Sequence, residues 1–396
     1  KGCRMTKKDN VHPETLLAIG GRDPENNFGI VNPPVYHAST VTSPTLAEWR
    51  ARDFTKHITY GRMGTPTQKS LEEAVALVEG GDHAIAVSSG LASITTAISA
   101  FVESGDHILV SDSAYFPTRN FCNNVLAKYG VETTYYDPLI GAGIADLLRD
   151  NTKVVLTEAP GSQTFEVQDI PAISAAAHAR GAVVINDNTW GTPLNFRSFE
   201  KGVDVSVHAA TKYIVGHSDA MLGIIVTTEE HYEKILMNFR CWGQHAAPDD
   251  CYLGLRGLRT MAVRLRQHEE NALVVANWLK TRPEVTRVLF PALPDDPGHE
   301  LWKRDFEGAC GLFGLTLDKH HDDTALGAML DGMELFAMGA SWGGYESLIL
   351  PSKPLRTATE WESTGTLLRL HVGLEHPDDL IADLEAGLDR LAAAAG

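Results

Sequence analysis

The sequence predicts an α/β fold, with a large, mostly parallel-sheet domain followed by a smaller C-terminal α+β domain. Through residues 66–260, short apolar strands alternate with helical segments, which is the pattern of a parallel sheet covered by helices on both faces. From about Gly308 the strands become fewer and have the pattern of half-exposed strands. We therefore predict a large domain at 66–260 and a C-terminal domain at 261–396, with a cleft between them.

Residues 1–65 are predicted to form an extended arm. They have few long periodic stretches and include Gly20-Gly21 and Pro33-Pro34. An arm of this length does not fold alone, so we expect it to pack on the rest of the chain or on a neighbouring subunit. Near its end, Gly61 separates Tyr60 from Arg62, and Gly64 follows. Arg62 could bind an anion through its guanidinium group, or it could be an ordinary surface arginine.

Composition excludes several classes of function. The chain has 396 residues and is 43% hydrophobic, which supports a large buried core. A net charge of −17 argues against a sequence-independent nucleic-acid binder. No apolar run approaches the roughly 18–20 residues of a membrane span, and we expect a soluble, cytoplasmic protein that acts on small molecules. Five scattered cysteines predict reduced thiols and no metal site.

A candidate anion site lies at a strand-to-helix turn early in the large domain. The predicted strand His83–Val87 leads directly into Ser88-Ser-Gly-Leu-Ala-Ser93, followed by a helix predicted to reach Val102. Backbone N–H groups at a helix N-terminus attract anions, and Gly90 allows close approach. The motif is shorter than a Rossmann or Walker loop and is a weak signal by itself. It makes Ser89, Gly90 and Leu91 candidate phosphate-binding residues.

Two further polar side chains follow predicted strands of the same sheet. Tyr115 comes shortly after the strand His107–Asp112, and Asp187 ends the strand Ala182–Asp187. Open α/β sheets bind ligands at the carboxyl ends of their strands. Tyr115 could equally be an ordinary core or surface tyrosine. Asp187 could cap a loop or bind a cationic ring nitrogen.

Lys212 lies where a third strand ends. The alternating run from Val203 to Val207 predicts a strand that leads to Thr211 and Lys212. A partly desolvated lysine can lose its charge and attack a carbonyl group, whereas a surface lysine is simply solvated. On the local sequence both interpretations stay open.

One cofactor accounts for all four features. Pyridoxal 5′-phosphate has a phosphate, a ring face for stacking, a ring nitrogen that a carboxylate keeps protonated, and an aldehyde that a lysine captures. These groups match the turn at Ser89–Leu91, Tyr115, Asp187 and Lys212. The sequence therefore predicts a pyridoxal phosphate site at the carboxyl edge of the sheet.

The second half of the chain contributes further elements. A long helical region is predicted from Asp250 to Leu279, and its arginines suggest a solvated or intersubunit face: Arg256, Arg259, Arg264 and Arg266. Beyond Gly308 the predicted strands are 312–317, 335–338 and 366–372, and the predicted helices are 323–329 and 377–394.

The sequence also resembles the Cys/Met-metabolism family of pyridoxal phosphate enzymes (fold type I), and within it the bacterial cystathionine β-lyases. Nearly the whole chain shares this resemblance. The matching stretches are Tyr60-Gly-Arg62, Ser89-Gly-Leu91, Ala114-Tyr115, Glu158-Ala-Pro-Gly-Ser162, Asp187-Asn-Thr-Trp190, Ala209-Ala-Thr-Lys-Tyr-Ile-Val-Gly-His-Ser-Asp219, Gly257-Leu-Arg-Thr260, Pro291-Ala-Leu-Pro294, Ser341-Trp-Gly-Gly-Tyr-Glu-Ser347 and Leu368-Arg-Leu-His-Val-Gly-Leu-Glu375.

The resemblance implies a role for each matching residue. Catalysis is expected from Lys212, which would bind the cofactor covalently and move the Cα proton, with assistance from Tyr115. The implied cofactor-binding residues are Tyr60, Arg62, Ser89, Gly90, Leu91, Tyr115, Asp187, Thr211 and Lys212. The implied substrate-binding residues are Tyr60, Ser162, Ser341, Trp342 and Arg369, with Arg369 on the α-carboxylate. Tyr60 and Arg62 would reach a neighbouring subunit's phosphate in a homotetramer built from dimers.

The resemblance also implies a carbon–sulfur β-lyase that acts on cystathionine or another cysteine S-conjugate. Ser162 and Trp342 favour β-elimination. Met63, Asn120 and Ala340 depart from β-lyases that have arginine, aspartate and tyrosine there, which weakens the case for a zwitterionic distal group. The alternatives are a γ-eliminating or γ-substituting enzyme of the family and a non-catalytic regulator that binds the cofactor.

Overall fold

The computed structural model describes residues 11–53, 57–361 and 365–394 and contains two separate β-sheets. The strands are β1 (His83–Val87), β2 (His107–Ser111), β3 (Glu132–Tyr136), β4 (Thr152–Glu158), β5 (Val183–Asp187), β6 (Val205–His208), β7 (Gly223–Thr227), β8 (Val285–Leu289), β9 (Leu312–Leu317), β10 (Leu348–Ser352) and β11 (Leu367–His371).

The α-helices are α1 (Pro13–Ile19), α2 (Leu46–Arg50), α3 (Pro66–Glu79), α4 (Gly90–Ser99), α5 (Phe116–Asn124), α6 (Ile170–His178), α7 (Thr192–Asn195), α8 (Glu229–Cys241), α9 (Pro248–Leu258), α10 (Met261–Leu279), α11 (His299–Asp305), α12 (Asp323–Leu330) and α13 (Pro377–Ala394). Short 3-10 helices span Gly61–Met63, Leu126–Tyr129, Gly141–Leu147 and Ser198–Lys201. Within these residues, no helix is both long and apolar enough to cross a membrane.

The large sheet has the order β1-β7-β6-β5-β4-β2-β3, and its neighbours pair in parallel from β6 to β3. Strand β7 is antiparallel to both β1 and β6, so it alone runs against the rest of this sheet. The prediction of a mostly parallel sheet is therefore confirmed. The carboxyl ends of β1, β2, β4, β5 and β6 consequently share one edge, which is where the candidate residues were expected.

Both faces of the large sheet are buried under helices. Successive residues of one strand enter different hydrophobic clusters: Val154 and Ile185 lie on one face, while Val155 and Val184 lie on the other. Strands buried on both faces read as continuous apolar runs, which is why the sequence showed them clearly.

The small sheet is antiparallel, with the order β10-β11-β9-β8, and α13 packs against both α12 and α10. The prediction of half-exposed strands is wrong for β9, since all six of its residues are buried. The large domain covers this strand: Trp190 donates a hydrogen bond to the carbonyl oxygen of Leu312 at 2.9 Å, and Phe165 lies against Gly314. Strands β8 and β10 were not predicted, and the predicted strand at 335–338 is wrong, since that segment forms only an isolated bridge between Ala337 and Leu348.

Several element boundaries also differ from the prediction. The helical region from Asp250 to Leu279 is two helices, α9 and α10, and the helix expected to reach Val102 ends at Ser99. The arm contains α1, which packs on α3 through the buried Leu17, as well as α2. The domain boundaries at 65/66 and 260/261 remain a prediction. The four described cysteines are free thiols, and Cys3 lies outside the described residues.

Candidate active site

Lys212 lies directly after β6, in a turn that packs against the small domain. Its backbone N–H donates to the carbonyl oxygen of Ala209 at 3.0 Å. Gly343, between β9 and β10, has a φ of +81°, and a Cβ atom there would lie 2.9 Å from the Cβ of Lys212. Glycine is therefore needed at this position both for its backbone conformation and for the close approach. The contact places Lys212 in the predicted cleft between the two sheets.

The Lys212 amine has a polar partner and an aromatic neighbour. Its Nζ donates to Oγ of Ser341 at 2.6 Å and lies 5.3 Å from the ring centroid of Trp342. Burial and, to a smaller extent, the charge of Arg369 lower the pKa of Lys212 to about 8, although Asp187 opposes them. A lysine with this pKa has a substantial neutral fraction near neutral pH, which is the form that attacks a carbonyl group.

A half-buried carboxylate, Glu158, and a buried one, Asp187, lie side by side near this lysine. Glu158 and Asp187 are the last residues of β4 and β5, and they occupy paired positions in the two strands. Burial and mutual repulsion raise the pKa of Glu158 well above its ordinary value, and burial raises the pKa of Asp187. Thr189 partly offsets this for Asp187, donating from its Oγ1 at 2.5 Å and its backbone nitrogen at 3.1 Å. The charges of His208 and Lys212 offset the burial of Asp187 only in part, so a protonated ring nitrogen would stabilise the ionised pair further.

Tyr115 precedes α5 at the same edge. Its backbone N–H donates to Glu158 at 2.7 Å, and its side chain is 44% exposed. Burial, Asp187 and Glu158 raise the pKa of its phenol, while Arg369 opposes them. Tyr115 is therefore a protonated phenol with an accessible ring face in this structure. The depressed pKa that a basic tyrosine needs is not found.

Arg369 projects from β11 towards the lysine. Its guanidinium group donates to the carbonyl oxygens of Ser341 at 3.1 Å and Gly339 at 3.3 Å. Burial lowers its pKa. Among the described residues no Asp or Glu forms an ion pair with Arg369, so its charge is available to a carboxylate ligand.

The predicted anion turn lies beside the lysine turn. A Cβ atom on Gly90 would lie 2.3 Å from the Cβ of Ala209, so only glycine allows α4 to begin here. The Ser89 hydroxyl accepts from the Ala92 backbone at 3.2 Å and caps the helix. The first N–H groups of a ten-residue helix lack intrahelical acceptors and suit a phosphate. This arrangement fits the cofactor's phosphate.

Thr211 is already hydrogen-bonded on two sides. Its hydroxyl donates to the Leu222 carbonyl oxygen at 3.1 Å and accepts from the Leu222 backbone N–H at 2.9 Å. Because a hydroxyl has a single proton, Thr211 can donate to a phosphate only if it gives up the bond to that carbonyl.

Other predicted residues lie further from the amine. The Ser162 backbone donates to the carbonyl oxygen of Ser113, two residues before Tyr115, at 2.8 Å. Arg62 donates to the carbonyl oxygen of Arg240 at 3.0 Å, and Tyr60 is 47% exposed. In the described part of the chain neither Tyr60 nor Arg62 hydrogen-bonds to the residues around Lys212. The structure thus groups Lys212, Tyr115, Asp187, Ser341, Trp342 and Arg369, and it leaves the two arm residues apart.

Sequence reasoning missed the role of Arg264 and overlooked Glu158. Arg264 is 6% exposed and donates at 2.8 Å to the carbonyl oxygens of Tyr213 and Gly257, so the prediction of a solvated or intersubunit residue is wrong. It supports the backbone next to Lys212. Glu158 could have been found, since it follows an apolar run, Val154-Val-Leu156, with the pattern of a buried strand, as Asp187 does.

Comparison with known proteins agrees with this geometry. A family model described as Cys/Met metabolism PLP-dependent enzyme matches residues 14–389. The chain therefore belongs to this family of pyridoxal phosphate-dependent enzymes.

Among its relatives, a putative cystathionine beta-lyase from Rhizobium johnstonii is 50% identical over 382 residues, covering 96% of each chain. Cystathionine beta-lyase MetC from Escherichia coli is 45% identical over 394 residues, covering 96% of this chain and 98% of that protein. A crystal structure of cystathionine gamma synthase from Xanthomonas oryzae pv. oryzae has a TM-score of 0.89 and 31% identity, covering 97% of this chain and all of that one.

Proposed function

We propose that this protein is a pyridoxal phosphate-dependent carbon–sulfur β-lyase. It cleaves L-cystathionine, or a related S-conjugate of cysteine, to a thiol, pyruvate and ammonia. The observation that carries the proposal is the Lys212 amine, with a pKa of about 8, held between Ser341, Arg369 and the buried Asp187. The β-lyase names of the Rhizobium and Escherichia coli relatives support the same activity.

The residues around Lys212 fit each part of the cofactor. The N-terminus of α4 and Thr211 would hold the phosphate, the Tyr115 ring would face the pyridine ring, and Asp187 would pair with the ring nitrogen. Lys212 would hold the aldehyde carbon. When bound, pyridoxal phosphate supplies an electron sink for negative charge at Cα.

The protein's own side chains then bind the substrate and move the protons of the reaction. Arg369 binds the substrate α-carboxylate and orients the Cα–H bond. The neutral Lys212 amine removes the Cα proton, and the Ser341 hydroxyl holds that amine in place through the 2.6 Å hydrogen bond. Tyr115 keeps its phenol proton because its pKa is raised, so it can donate to the departing sulfur. Loss of the thiol from Cβ completes the β-elimination.

The protein is proposed to act as a cytoplasmic homotetramer built from dimers, with Tyr60 and Arg62 completing a neighbouring subunit's phosphate site. Exposed apolar side chains on the arm support an interface there: Phe28 is 95% exposed, and Trp49 and Leu46 are 51% and 62% exposed. Leu46 and Trp49 belong to the same short helix, α2, and neighbouring exposed apolar side chains are typical of an interaction site. Sedimentation at several protein concentrations tests this assembly.

A γ-eliminating enzyme is the second candidate, favoured by the similarity to cystathionine gamma synthase. Product analysis separates the two, because β-cleavage of L-cystathionine yields pyruvate and γ-cleavage yields 2-oxobutyrate. We expect pyruvate. Because Met63, Asn120 and Ala340 replace charged and phenolic groups, the assay should include S-alkylcysteines beside L-cystathionine. 2-Oxobutyrate as the main product would overturn the β-lyase proposal, and no product from any thioether would support the non-catalytic alternative.

A further inference from the structure

Glu79 is a buried acid in an unfavourable position. It is the last residue of α3 and is 2% exposed. The C-terminus of a helix has a partial negative charge, so a carboxylate there needs strong local compensation. Three partners provide it: Ser206 donates at 2.7 Å, Asn188 donates at 2.9 Å, and Nε2 of His208 lies 2.9 Å from the second carboxylate oxygen.

These partners belong to the two strand ends that build the candidate site. Asn188 directly follows Asp187, the last residue of β5. Ser206 and His208 lie on β6, which leads to Lys212. Glu79 therefore ties the strand end that carries Asp187 to the strand end that carries the lysine turn.

A second set of hydrogen bonds, which does not involve Glu79, joins the same two strand ends. The Ala209 backbone N–H donates to the Thr189 hydroxyl at 2.8 Å, and that hydroxyl donates to Asp187 at 2.5 Å. The His208 side chain thus contacts Glu79, and its backbone directly precedes Ala209, which bonds to the hydroxyl that contacts Asp187.

The same residues also influence one another electrostatically. Burial alone would raise the pKa of Glu79, but His208, Ser206 and Asn188 outweigh it and lower that pKa, so Glu79 is a carboxylate at neutral pH. The charge of His208 in turn lowers the pKa of Asp187, more strongly than Lys212 does, against the larger effect of burial.

We propose that Glu79 and His208 form a positioning pair that holds the Asp187 carboxylate aimed at the ring nitrogen of the cofactor. Neither residue touches the cofactor or the substrate, so both act through Asp187. The inference rests on the proposed function only in that the bound group has a ring nitrogen facing Asp187. The competing interpretation is a buried polar network that stabilises the fold and has no influence on the ligand.

The test compares two ligands on cofactor-free protein. One is pyridoxal phosphate, and the other is its analogue in which a C–H group replaces the ring nitrogen. In His208→Gln and Glu79→Gln we expect the affinity for pyridoxal phosphate to fall about tenfold, which corresponds to a change of about one unit in the pKa of Asp187. Affinity for the analogue should stay unchanged, because it has no ring nitrogen for Asp187 to bind. Titration followed by absorbance or calorimetry measures both.

A matched control exists at the opposite edge of the sheet. His178 and Asp204 are also 2.9 Å apart, and Asp204 accepts from the Val184 backbone of β5. His178→Gln should leave both affinities unchanged. Ser206→Ala, which removes a neutral partner of Glu79, gives a variant with intact charges if Glu79→Gln fails to fold, and a loss smaller than that of His208→Gln is expected.

Equal losses for the two ligands in His208→Gln, or no loss for either, would overturn the proposal and favour a purely structural network. The 15N resonance of ring-labelled pyridoxal phosphate provides a second readout. It should report a protonated nitrogen in the wild type and a less protonated one in His208→Gln. Neither measurement requires turnover, so the absence of lyase activity would refute the proposed function without affecting this result.

Discussion

Two sets of carboxylates at the same edge of the large sheet have opposite properties. Asp112, just after β2, is 1% exposed and accepts a 2.8 Å hydrogen bond from Arg119. It also accepts from the backbone N–H groups of residues 357–359 at 2.9–3.0 Å. Although burial alone would raise the pKa of Asp112, these donors outweigh it and lower that pKa. At Glu158 and Asp187, where donors are fewer, the pKa values are raised.

The difference in pKa distinguishes a carboxylate with a structural role, Asp112, from a pair with a functional role, Glu158 and Asp187. A buried carboxylate with a full set of donors is stable as an anion and holds its donors in place. Asp112 thereby fastens the loop between β10 and β11, in the small domain, to the large domain. Glu158 and Asp187 form a site that is incomplete without a cation, which is the arrangement that favours binding of a protonated ring.

The largest effect is expected at the amine. Replacing Lys212 with alanine removes both the group that captures the aldehyde and the base that moves the Cα proton. We expect lyase activity to fall by at least about 10³-fold. Pyruvate release from L-cystathionine or an S-alkylcysteine measures it. Lys153→Ala, at an exposed position on β4, is the control and should keep full activity. An active Lys212→Ala protein would rule out the mechanism.

Asp112 is predicted to matter for stability. Asp112→Asn leaves the buried Arg119 charge without an anionic partner and weakens the bonds to the loop at 357–359. Breaking a buried ion pair typically costs about 3–5 kcal/mol, so the thermal unfolding midpoint should fall by several degrees. Asp150→Asn, in an exposed pair with Arg180, should leave the midpoint unchanged. An Asp112→Asn protein with wild-type stability would contradict the structural role.

Asp187→Asn should show the opposite behaviour. An amide cannot hold a protonated ring nitrogen by charge, and one such interaction is worth about 1.5–3 kcal/mol, or roughly 10–100-fold in affinity. We expect weaker binding of pyridoxal phosphate with little loss of folding stability, since removing a carboxylate relieves the repulsion with Glu158. Equal damage to stability in Asp187→Asn and Asp112→Asn would remove the distinction between the two regions.

A smaller effect concerns pH. Because the pKa of Lys212 is about 8, the rate at which cofactor-free protein captures pyridoxal phosphate should rise with pH up to about 8 and then level off. An ordinary lysine would continue to gain neutral amine up to its usual pKa of 10.5. The same shift means that the unfolded chain binds more protons between these values, so the cost of burying a charged Lys212 falls and stability increases from pH 8 to 10.5. Stopped-flow absorbance across this range tests the rate, and a continuous rise beyond pH 9 would contradict the depressed pKa.

The sequence predicted the parts of the site that lie at strand ends. Lys212, Asp187 and Tyr115 follow apolar strands, and the parallel topology brings such ends together whatever their separation in the chain. Packing partners distant in sequence were not predictable. Asp112 accepts hydrogen bonds from donors some 245 residues later in the chain. Arg264 has the sequence context of an exposed helical arginine, and its burial depends on the contact with the turn that carries Lys212.

Glu79 is another residue whose packing partners could not be predicted from the sequence. In the sequence it is a charged residue at the end of an amphipathic helix, normally a solvated position. Only the contacts with Asn188, Ser206 and His208 reveal that it is buried. The burial of β9 likewise depends on Trp190 and Phe165 from the other domain, which no local pattern encodes.

The most direct test of the whole account is to locate the covalent bond to the cofactor. Protein reconstituted with pyridoxal phosphate is treated with borohydride, digested and analysed by mass spectrometry. The account predicts a yellow protein that loses its colour on reduction and is modified at Lys212. Modification at a different lysine, or no modification, would contradict it.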